Sequence, residues 1–308
     1  MTLDRDRFRG SLVGLAVGDS LGAAVEFKRS GQFEPVTGYR QGGPWNLKPG
    51  YWTDDTSMAL CLAESLLACH GVDPADQMTR YVHWWREGHL SSTGTCFDIG
   101  PTTRAALQQY VGTGDPYSGS TAPETAGNGS LMRLAPVPLY FAADCEVAVE
   151  RAADSSRTTH GAAEAVDACR FAAALICTAL NGRSREDLTG HALLRAGQVS
   201  DPVRSAATDF YSRSAPPILR TNGYVIESLR AALWGFQTTD NFRDGALAVV
   251  NLGWDADTNG AIYGQLAGAF YGLGGMPSEW VSGLHRSELI LGFADRLFEA
   301  ATGTQGSR

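Results

Sequence analysis

Two short aspartate clusters, far apart in the chain, constrain this sequence more than any other feature. They read Trp52-Thr53-Asp54-Asp55-Thr56 and Trp254-Asp255-Ala256-Asp257-Thr258-Asn259, and each leads into an apolar, small-residue stretch with helical spacing. Carboxylates are costly to desolvate unless they are paired or bound to a cation. Oxygen ligands from two segments suit Mg²⁺, Mn²⁺ or Ca²⁺ rather than Zn²⁺, and two facing groups could hold two metal ions for hydrolysis. The alternative is that each cluster only caps a helix.

The composition is that of a globular protein and excludes several functional classes. The 308 residues carry a net charge of −8, and no lysine- or arginine-rich run of the kind that binds nucleic acid is present. The first residues are too charged for a secretory signal and no apolar run could span a membrane, so we expect a cytoplasmic protein. No CxxC pair occurs. Four cysteines lie in apolar helical stretches, where buried free thiols are expected: Cys61, Cys69, Cys169 and Cys177.

Helical periodicity dominates the chain and predicts an all-α, many-helix globule. The predicted helices cover 8–21, 58–69, 74–87, 102–111, 129–141, 144–154, 161–181, 185–196, 223–236, 240–251, 256–271 and 288–300, with irregular stretches at 112–127 and 199–222. Alanine and glycine are abundant inside these helices, and Gly18 and Gly22 lie four apart, which predicts a small-residue stripe for close packing. We predict one domain over residues 1–301 and a flexible tail over 302–308.

Carboxylates also stand out in two other places. Asp19 and Glu26 interrupt an otherwise apolar, small-residue stretch, so each is either paired structurally or positioned for chemistry. Asp98 lies between Phe97 and Ile99 with glycines on both sides, a poor sequence for a solvated loop. This pattern indicates a carboxylate at the wall of a pocket.

Three further motifs suggest binding. Gly127-Asn128-Gly129-Ser130 leads into a predicted helix, where free N–H groups and the helix dipole favour an anion, and Arg133 could add charge or hold a carboxylate. His160 would lie in the first turn of a helix; a lone histidine is more often structural, and the absence of HxxxH and HExxH spacings disfavours zinc. Tyr224 could stack on a flat ring or belong to the core.

Taken in order, these motifs resemble the ADP-ribosylglycohydrolase family. They are GDSLGAAVE, WTDDTSM, CFDIG, AGNGSLMR, TTHG, GYV and WDADTNG, which cover residues 10–275. The stretch from Gly42-Gly43-Pro44-Trp45 to the first cluster is most similar to the bacterial branch typified by dinitrogenase reductase-activating glycohydrolase. That branch removes ADP-ribose from arginine side chains.

The resemblance implies an all-α fold with a binuclear Mg²⁺ or Mn²⁺ centre. It implies six metal ligands: Thr53, Asp54, Asp55, Asp255, Asp257 and Thr258. It gives Glu26 a role in catalysis or in gating, and Asp98 a role in engaging the guanidinium or the opened ribose. The remaining matches imply a substrate site, with the diphosphate and ribose held by Gly127, Asn128, Gly129, Ser130 and Met132, and the adenosine side lined by His160, Gly223 and Tyr224.

The favoured function is therefore a metal-dependent hydrolase that cleaves the N-glycosidic bond between ADP-ribose and arginine on a protein and releases ADP-ribose. Cleavage of serine-linked or small-molecule ADP-ribose stays open, as does a non-catalytic ADP-ribose-binding protein. An unrelated two-metal phosphodiesterase is disfavoured, because no histidine pattern for its metals is present. We expect no nucleic-acid partner and no insertion into a membrane, and take a monomer as the default.

Overall fold

Fourteen α-helices make up the described part of the chain, residues 3–219 and 223–303 of a computed structural model. Within these residues the extended backbone forms only isolated β-bridges, so the predicted all-α fold is confirmed. The helices are α1 (Arg5–Gly22), α2 (Asp54–Cys69), α3 (Pro74–Glu87), α4 (Pro101–Thr113), α5 (Pro136–Tyr140), α6 (Cys145–Arg157), α7 (Ala163–Leu180), α8 (Arg185–Ala196), α9 (Asp201–Thr208), α10 (Val225–Thr238), α11 (Phe242–Val250), α12 (Ala256–Tyr271), α13 (Ser278–Gly283) and α14 (Ser287–Thr302). Short 3₁₀ turns lie at Pro123–Thr125 and Leu273–Gly275.

Helices α1 and α12 run antiparallel and touch backbone to backbone at the centre of the fold. Small residues repeat every fourth position on the facing sides: Gly10, Gly14, Gly18 and Gly22 of α1 meet Gly268, Gly264, Gly260 and Ala256 of α12. A Cβ atom on Gly18 would lie 1.9 Å from the Gly260 carbonyl oxygen, so no larger residue fits. The stripe predicted from Gly18 and Gly22 is thus present. It brings the C-terminal end of α1 beside the N-terminal end of α12.

The last helix closes against the first. The guanidinium of Arg9 binds the Asp295 carboxylate with an Nε–Oδ1 distance of 2.7 Å, and the rings of Phe8 and Phe298 meet edge to face at 5.2 Å. Thr302 is still part of α14, and residues 304–308 of the predicted tail lie outside the described residues. The assignment of residues 1–301 to one domain stays a prediction. No helix in the described ranges combines the length and the apolar character that a membrane span needs.

Four predictions about local structure are wrong. His160 does not lie in the first turn of a helix: it forms a β-bridge with Ser120, and α7 begins only at Ala163. The predicted helix over 129–141 is helical only from Pro136 to Tyr140 and is preceded by turns, because the glycine-rich start of this segment folds as a loop. The irregular stretch at 199–222 contains helix α9, with Pro202 in the first turn, where a missing N–H is tolerated. Cys69 is exposed at the end of α2, whereas the other three cysteines of that prediction are buried free thiols.

Candidate active site

The N-terminus of α2 is held by a carboxylate from another helix. Asp19, buried near the end of α1, accepts hydrogen bonds from the backbone N–H groups of Thr53 and Thr56 at 2.9 and 3.1 Å. The Thr56 hydroxyl donates to the same carboxylate at 2.6 Å. Thr53 is the N-cap residue, yet its own side chain makes no capping hydrogen bond. Asp19 therefore does the capping, and the carboxylates of Asp54 and Asp55 are left for another role.

The second cluster begins α12 in a similar way. Asp255 is the N-cap residue, but its side chain makes no capping hydrogen bond. Its Oδ2 accepts instead from Asn128 Nδ2 at 2.8 Å. Thr258, in the first turn, places its Oγ1 3.9 Å from the Met132 Sδ. In both clusters the helix-cap interpretation fails, because neither N-cap side chain bonds the backbone of its helix.

Five carboxylates from three segments converge where α1 meets α12. Asp19, Asp55 and Asp257 each offer an oxygen within 4.8 Å of the others, and Glu26, Asp255 and Asp257 form a second such group. Asp257 belongs to both groups. The Oδ1 atoms of Asp55 and Asp257 are buried and have no hydrogen-bond partner among the described residues. Buried carboxylate oxygens without a donor fit an oxygen-liganded cation, so the residues present can bind metal.

The predicted ligands lie in these groups or beside them. Asp55, Asp255 and Asp257 are members of the groups; Asp54 and Thr258 line the adjoining cavity; and Thr53 Oγ1 lies 2.9 Å from carboxylate oxygens of both Asp19 and Asp55. Asp19 and Glu26 complete the groups but were not predicted as ligands. The signal that could have found them is that each places a carboxylate in an otherwise apolar, small-residue stretch.

Burial controls the protonation of these carboxyl groups. It raises the pKa of Glu26 to about 10, helped by the charge of Asp98, and the pKa of Asp98 to about 7, helped by the charge of Asp255. Burial also raises the pKa well above the usual carboxyl range at three further positions, Asp54, Asp55 and Asp257. None of the ion pairs in the described part of the chain includes any of these groups. Without cations, burial therefore favours the protonated form of these groups.

An aromatic residue adjoins the acidic groups on one side. Trp45 donates a hydrogen bond from Nε1 to Glu26 Oε2 at 3.1 Å, and its ring packs against Phe97 with centroids 5.6 Å apart. Asp98 has a left-handed backbone, with φ 61°, and its Oδ2 is buried without a partner in the described residues. A non-glycine residue rarely adopts this conformation, and such strain is typical of functional sites.

The glycine loop 127–130 adjoins the acidic groups on the other side. The backbone N–H of Asn128 donates to the Gly223 carbonyl at 2.9 Å, and Gly127 forms a β-bridge with Tyr224. The imidazole of His160 lies directly against the loop, since a Cβ atom on Gly129 would be 2.8 Å from its Cε1. Burial lowers the pKa of His160 to about 3, so this ring is neutral. The loop and the histidine thus form one surface.

A cavity of about 760 Å³ joins these parts. Most of the predicted site residues line it: Glu26, Asp54, Asp98, Gly127, Asn128, Gly129, Met132, His160, Gly223, Tyr224, Asp255, Asp257 and Thr258. Thr53, Asp55 and Ser130 are buried behind this lining. The lining also contains residues that were not predicted as site residues, among them Phe27, Trp45 and Arg104. Trp45 lies in a stretch used for the resemblance, but nothing in the sequence marks Arg104.

The chain matches one known protein family over almost its whole length. The pattern that defines the ADP-ribosylglycohydrolase family matches residues 1–307. This chain belongs to the ADP-ribosylglycohydrolase family. Among its relatives, the ADP-ribosylarginine hydrolase Tri1 of Serratia proteamaculans is 40% identical over 298 residues, which cover 96% of this chain and 80% of that protein. The ADP-ribosyl-[dinitrogen reductase] glycohydrolase of Rhodospirillum rubrum is 34% identical, over 91% of this chain and 90% of that protein.

A solved structure agrees with this ADP-ribosylglycohydrolase in fold. A chain of an ADP-ribosylglycohydrolase-related protein complex superposes with a TM-score of 0.86 at 44% identity, covering 96% of this chain and 98% of the other. Family membership and the all-α fold, both expected from the motifs, are therefore confirmed.

Proposed function

We propose that this ADP-ribosylglycohydrolase releases ADP-ribose from arginine side chains of proteins by hydrolysing the N-glycosidic bond. The observation that carries the proposal is the order of groups along one cavity. Contacts run from Tyr224 and the glycine loop, through Asn128 and Asp255, to Glu26 and Trp45. The names of two relatives, which act on ADP-ribosylarginine and on ADP-ribosyl-dinitrogen reductase, support the same activity.

The glycine-loop end suits the ADP part of the substrate. Gly127, Asn128, Gly129, Ser130 and Met132 would hold the diphosphate and ribose, because loop N–H groups bind anions well. On the adenosine side we place Gly223 and Tyr224. The resemblance also implies His160 there, but its imidazole lies against Gly127 and Gly129, so we assign it to the diphosphate. The Tyr224 hydroxyl donates to Glu164 Oε2 at 2.7 Å, which anchors one end of the ring and leaves its face for stacking.

The acidic middle of the cavity suits two divalent cations, Mg²⁺ or Mn²⁺. We propose that the ions would be held by Asp257, which belongs to both carboxylate groups, together with Asp55, the Thr53 hydroxyl, Asp255 and Thr258, and by Asp54 at the cavity wall. When bound, such ions would supply Lewis-acid chemistry for the distal ribose and would lower the pKa of a nearby water. Asp19, whose oxygens already accept from Thr53 and Thr56, would orient this set from behind.

The far end suits the guanidinium and the proton transfer. Hydrolysis breaks the bond between C1″ of the distal ribose and a guanidinium nitrogen, adds a water oxygen to that carbon and returns a proton to the nitrogen. Glu26 lies in one carboxylate group with Asp255 and Asp257, at the reacting carbon, so we assign it the proton transfer. Asp98, with a free buried oxygen, accepts from the guanidinium N–H groups.

The decisive experiment measures ADP-ribose release from arginine-linked and serine-linked substrates, each with Mg²⁺, Mn²⁺ or EDTA. We expect metal-dependent release from arginine alone. Release from serine-linked ADP-ribose would keep the family activity but move specificity away from Asp98. Binding of ADP-ribose without release from either substrate would identify a binding protein and overturn the proposal.

A further inference from the structure

Arg133 is a fully buried cation that has no acidic partner among the described residues. Its side chain has no exposed surface, and its guanidinium carbon lies 4.7 Å from the centroid of the buried Tyr81 ring. No carboxylate of the described residues forms an ion pair with it, and its Nε has no acceptor there. The hypothesis that Arg133 holds a neighbouring carboxylate is therefore wrong. An unpaired buried charge is costly, so the groups that accept hydrogen bonds from Arg133 are the key to its role.

The first group that Arg133 holds is the glycine loop itself. Its Nη1 donates to the Gly129 carbonyl at 2.9 Å. In a trans peptide the C=O and the following N–H point in opposite directions, so this bond turns the Ser130 N–H away from Arg133. The N–H groups of Gly129 and Ser130 find no acceptor among the described residues. Arg133 therefore holds the Gly129 carbonyl and orients the Ser130 N–H, which like the Gly129 N–H has no acceptor in the described part of the chain.

The second group is the hydroxyl of Thr159, which controls His160. Arg133 Nη2 donates to Thr159 Oγ1 at 2.7 Å, and this oxygen lies 2.8 Å from His160 Nδ1. A guanidinium can only donate, so the hydroxyl proton remains available for the imidazole. Within the described ranges, Nδ1 is the only acceptor that this fully buried hydroxyl can reach. The imidazole proton is then on Nε2, next to Gly127 and Gly129.

We propose that Arg133 is a positioning residue that prepares the donors of the diphosphate site: the free N–H groups of the glycine loop and, through Thr159, the Nε2–H of His160. The buried positive charge of Arg133 complements the two negative phosphates from behind the loop. The proposal rests on the proposed function only in taking ADP-ribose as the ligand. It assigns no step of hydrolysis to Arg133.

The tautomer of His160 gives a test that needs neither ligand nor activity. The imidazole ¹⁵N shifts of the wild-type protein should show that the His160 ring is neutral and protonated on Nε2 at neutral pH. The His160 signals are assigned as those that disappear in His160→Gln. Thr159→Val keeps the shape and removes the hydroxyl, so the ring should become a mixture of tautomers, and Thr159→Ser should restore the wild-type spectrum. A ring protonated on Nδ1, or on both nitrogens, in the wild type would overturn the proposal.

Ligand binding gives the second test. Thr159→Val should lower the affinity for ADP-ribose and for ADP by roughly tenfold, as expected for losing one oriented hydrogen bond to a charged group. The affinity for adenosine should not change, because adenosine has no phosphate. Thr159→Ser should recover the affinity. The matched control is Thr158→Val: Thr158 is equally buried and adjacent, but its hydroxyl bonds the Ser155 carbonyl and Gln77 rather than His160. Thr158→Val should change neither the affinity for these ligands nor the tautomer of His160.

The outcomes separate this inference from the proposed function. The role of Thr159 and Arg133 would be overturned if a folded Thr159→Val variant lost as much affinity for adenosine as for ADP, or kept its affinity for ADP. If Thr159→Val does not fold, the wild-type spectrum still decides the tautomer. A protein that binds ADP-ribose with the expected tautomer but fails to release it from arginine would disprove the proposed function and leave this inference standing.

Discussion

The backbone N–H of Phe27 donates a hydrogen bond of 2.7 Å to the carbonyl oxygen of Trp254. The N–H of Trp254 donates in return to the Lys28 carbonyl at 2.6 Å, and both aromatic residues have left-handed backbones, with φ of 62° and 59°. Each lies one residue from a carboxylate of the site: Glu26 precedes Phe27, and Asp255 follows Trp254. The pair of bonds therefore ties Glu26 to Asp255 at a cost in backbone strain.

Gly253 tests this tie. A Cβ atom there would lie 2.3 Å from the Lys28 carbonyl oxygen, so Gly253→Ala should push the two segments apart. We expect a loss of about 2–4 kcal/mol in unfolding free energy, from left-handed strain plus crowding, together with a fall in ADP-ribose release. Gly31→Ala is the matched control, because Gly31 is also left-handed but open. It should lose about 1–2 kcal/mol and keep its activity. If Gly253→Ala and Gly31→Ala lost the same stability in urea unfolding and the same activity in release assays, the tie would be contradicted.

The glycine stripe between α1 and α12 makes a second, larger prediction. Gly18→Ala should destabilise the protein by at least about 3 kcal/mol or prevent folding, because the new Cβ would overlap the Gly260 carbonyl and separate two buried helices. Gly292 in α14 has open space around it. Gly292→Ala should raise stability by about 0.5–1 kcal/mol, since alanine costs less entropy in a helix. A tolerated Gly18→Ala in thermal unfolding would mean that the helices do not depend on this contact.

Local patterns predicted much of this fold and part of the site. Periodicity marked most helices, and the spacing of Gly18 and Gly22 indicated close packing before its partner was known. The two aspartate clusters and Asp98 were visible because charged residues stand out in apolar stretches. In each case the signal lies within a few residues of the group that it concerns.

What the sequence did not reveal depends on distant partners. Asp19 caps α2 although it belongs to α1, and no local pattern shows a cap that comes from another helix. Arg133 acts through Thr159, which is 26 residues away. The prediction of a helix over 129–141 is wrong for the same reason. The loop is held by hydrogen bonds to Gly223 and Arg133, and hydrophobic periodicity carries no information about such contacts. These contacts appear only once the chain is folded.

Metal dependence makes the third prediction. Asp257 belongs to both carboxylate groups, so Asp257→Asn should reduce ADP-ribose release by more than the roughly 10–100-fold that losing an outer partner of a metal ligand costs. It should also remove the rise in melting temperature with Mn²⁺, which for the wild type corresponds to about 2.7 kcal/mol at a hundredfold excess over Kd. Asp244→Asn, an exposed carboxylate in the first turn of α11, is the control. A normal Mn²⁺ response in Asp257→Asn would refute the site.

The raised carboxyl pKa values make the fourth prediction, for protein treated with EDTA. Carboxyl groups in the unfolded chain titrate near pKa about 4, whereas burial raises the pKa of Asp19 to about 6, of Asp98 to about 7 and of Glu26 to about 10. Between these values the folded protein binds more protons than the unfolded chain, so unfolding free energy falls as pH rises. The melting temperature should therefore increase from about pH 8 to about pH 6. Saturating Mn²⁺ should flatten this slope, and a slope of the opposite sign would contradict the burial of these groups without cations.

The last prediction concerns Trp45, which contacts Glu26 with its N–H and offers a partly exposed ring where we place the guanidinium. Trp45→Phe keeps a ring but loses the N–H, so Glu26 is less well held and kcat should fall with little change in KM. Trp45→Leu also loses the aromatic face, and KM for the arginine-linked substrate should rise by the equivalent of about 0.5–2 kcal/mol, the range of a cation–π contact. Affinity for free ADP-ribose should stay unchanged in both variants. Trp85→Leu, on α3 and away from the cavity, is the control. Suppose that Trp45→Leu lowers the affinity for free ADP-ribose by the same factor as it raises KM. Trp45 would then contact the ribose, and the arginine of the substrate protein would have to enter the cavity from another side.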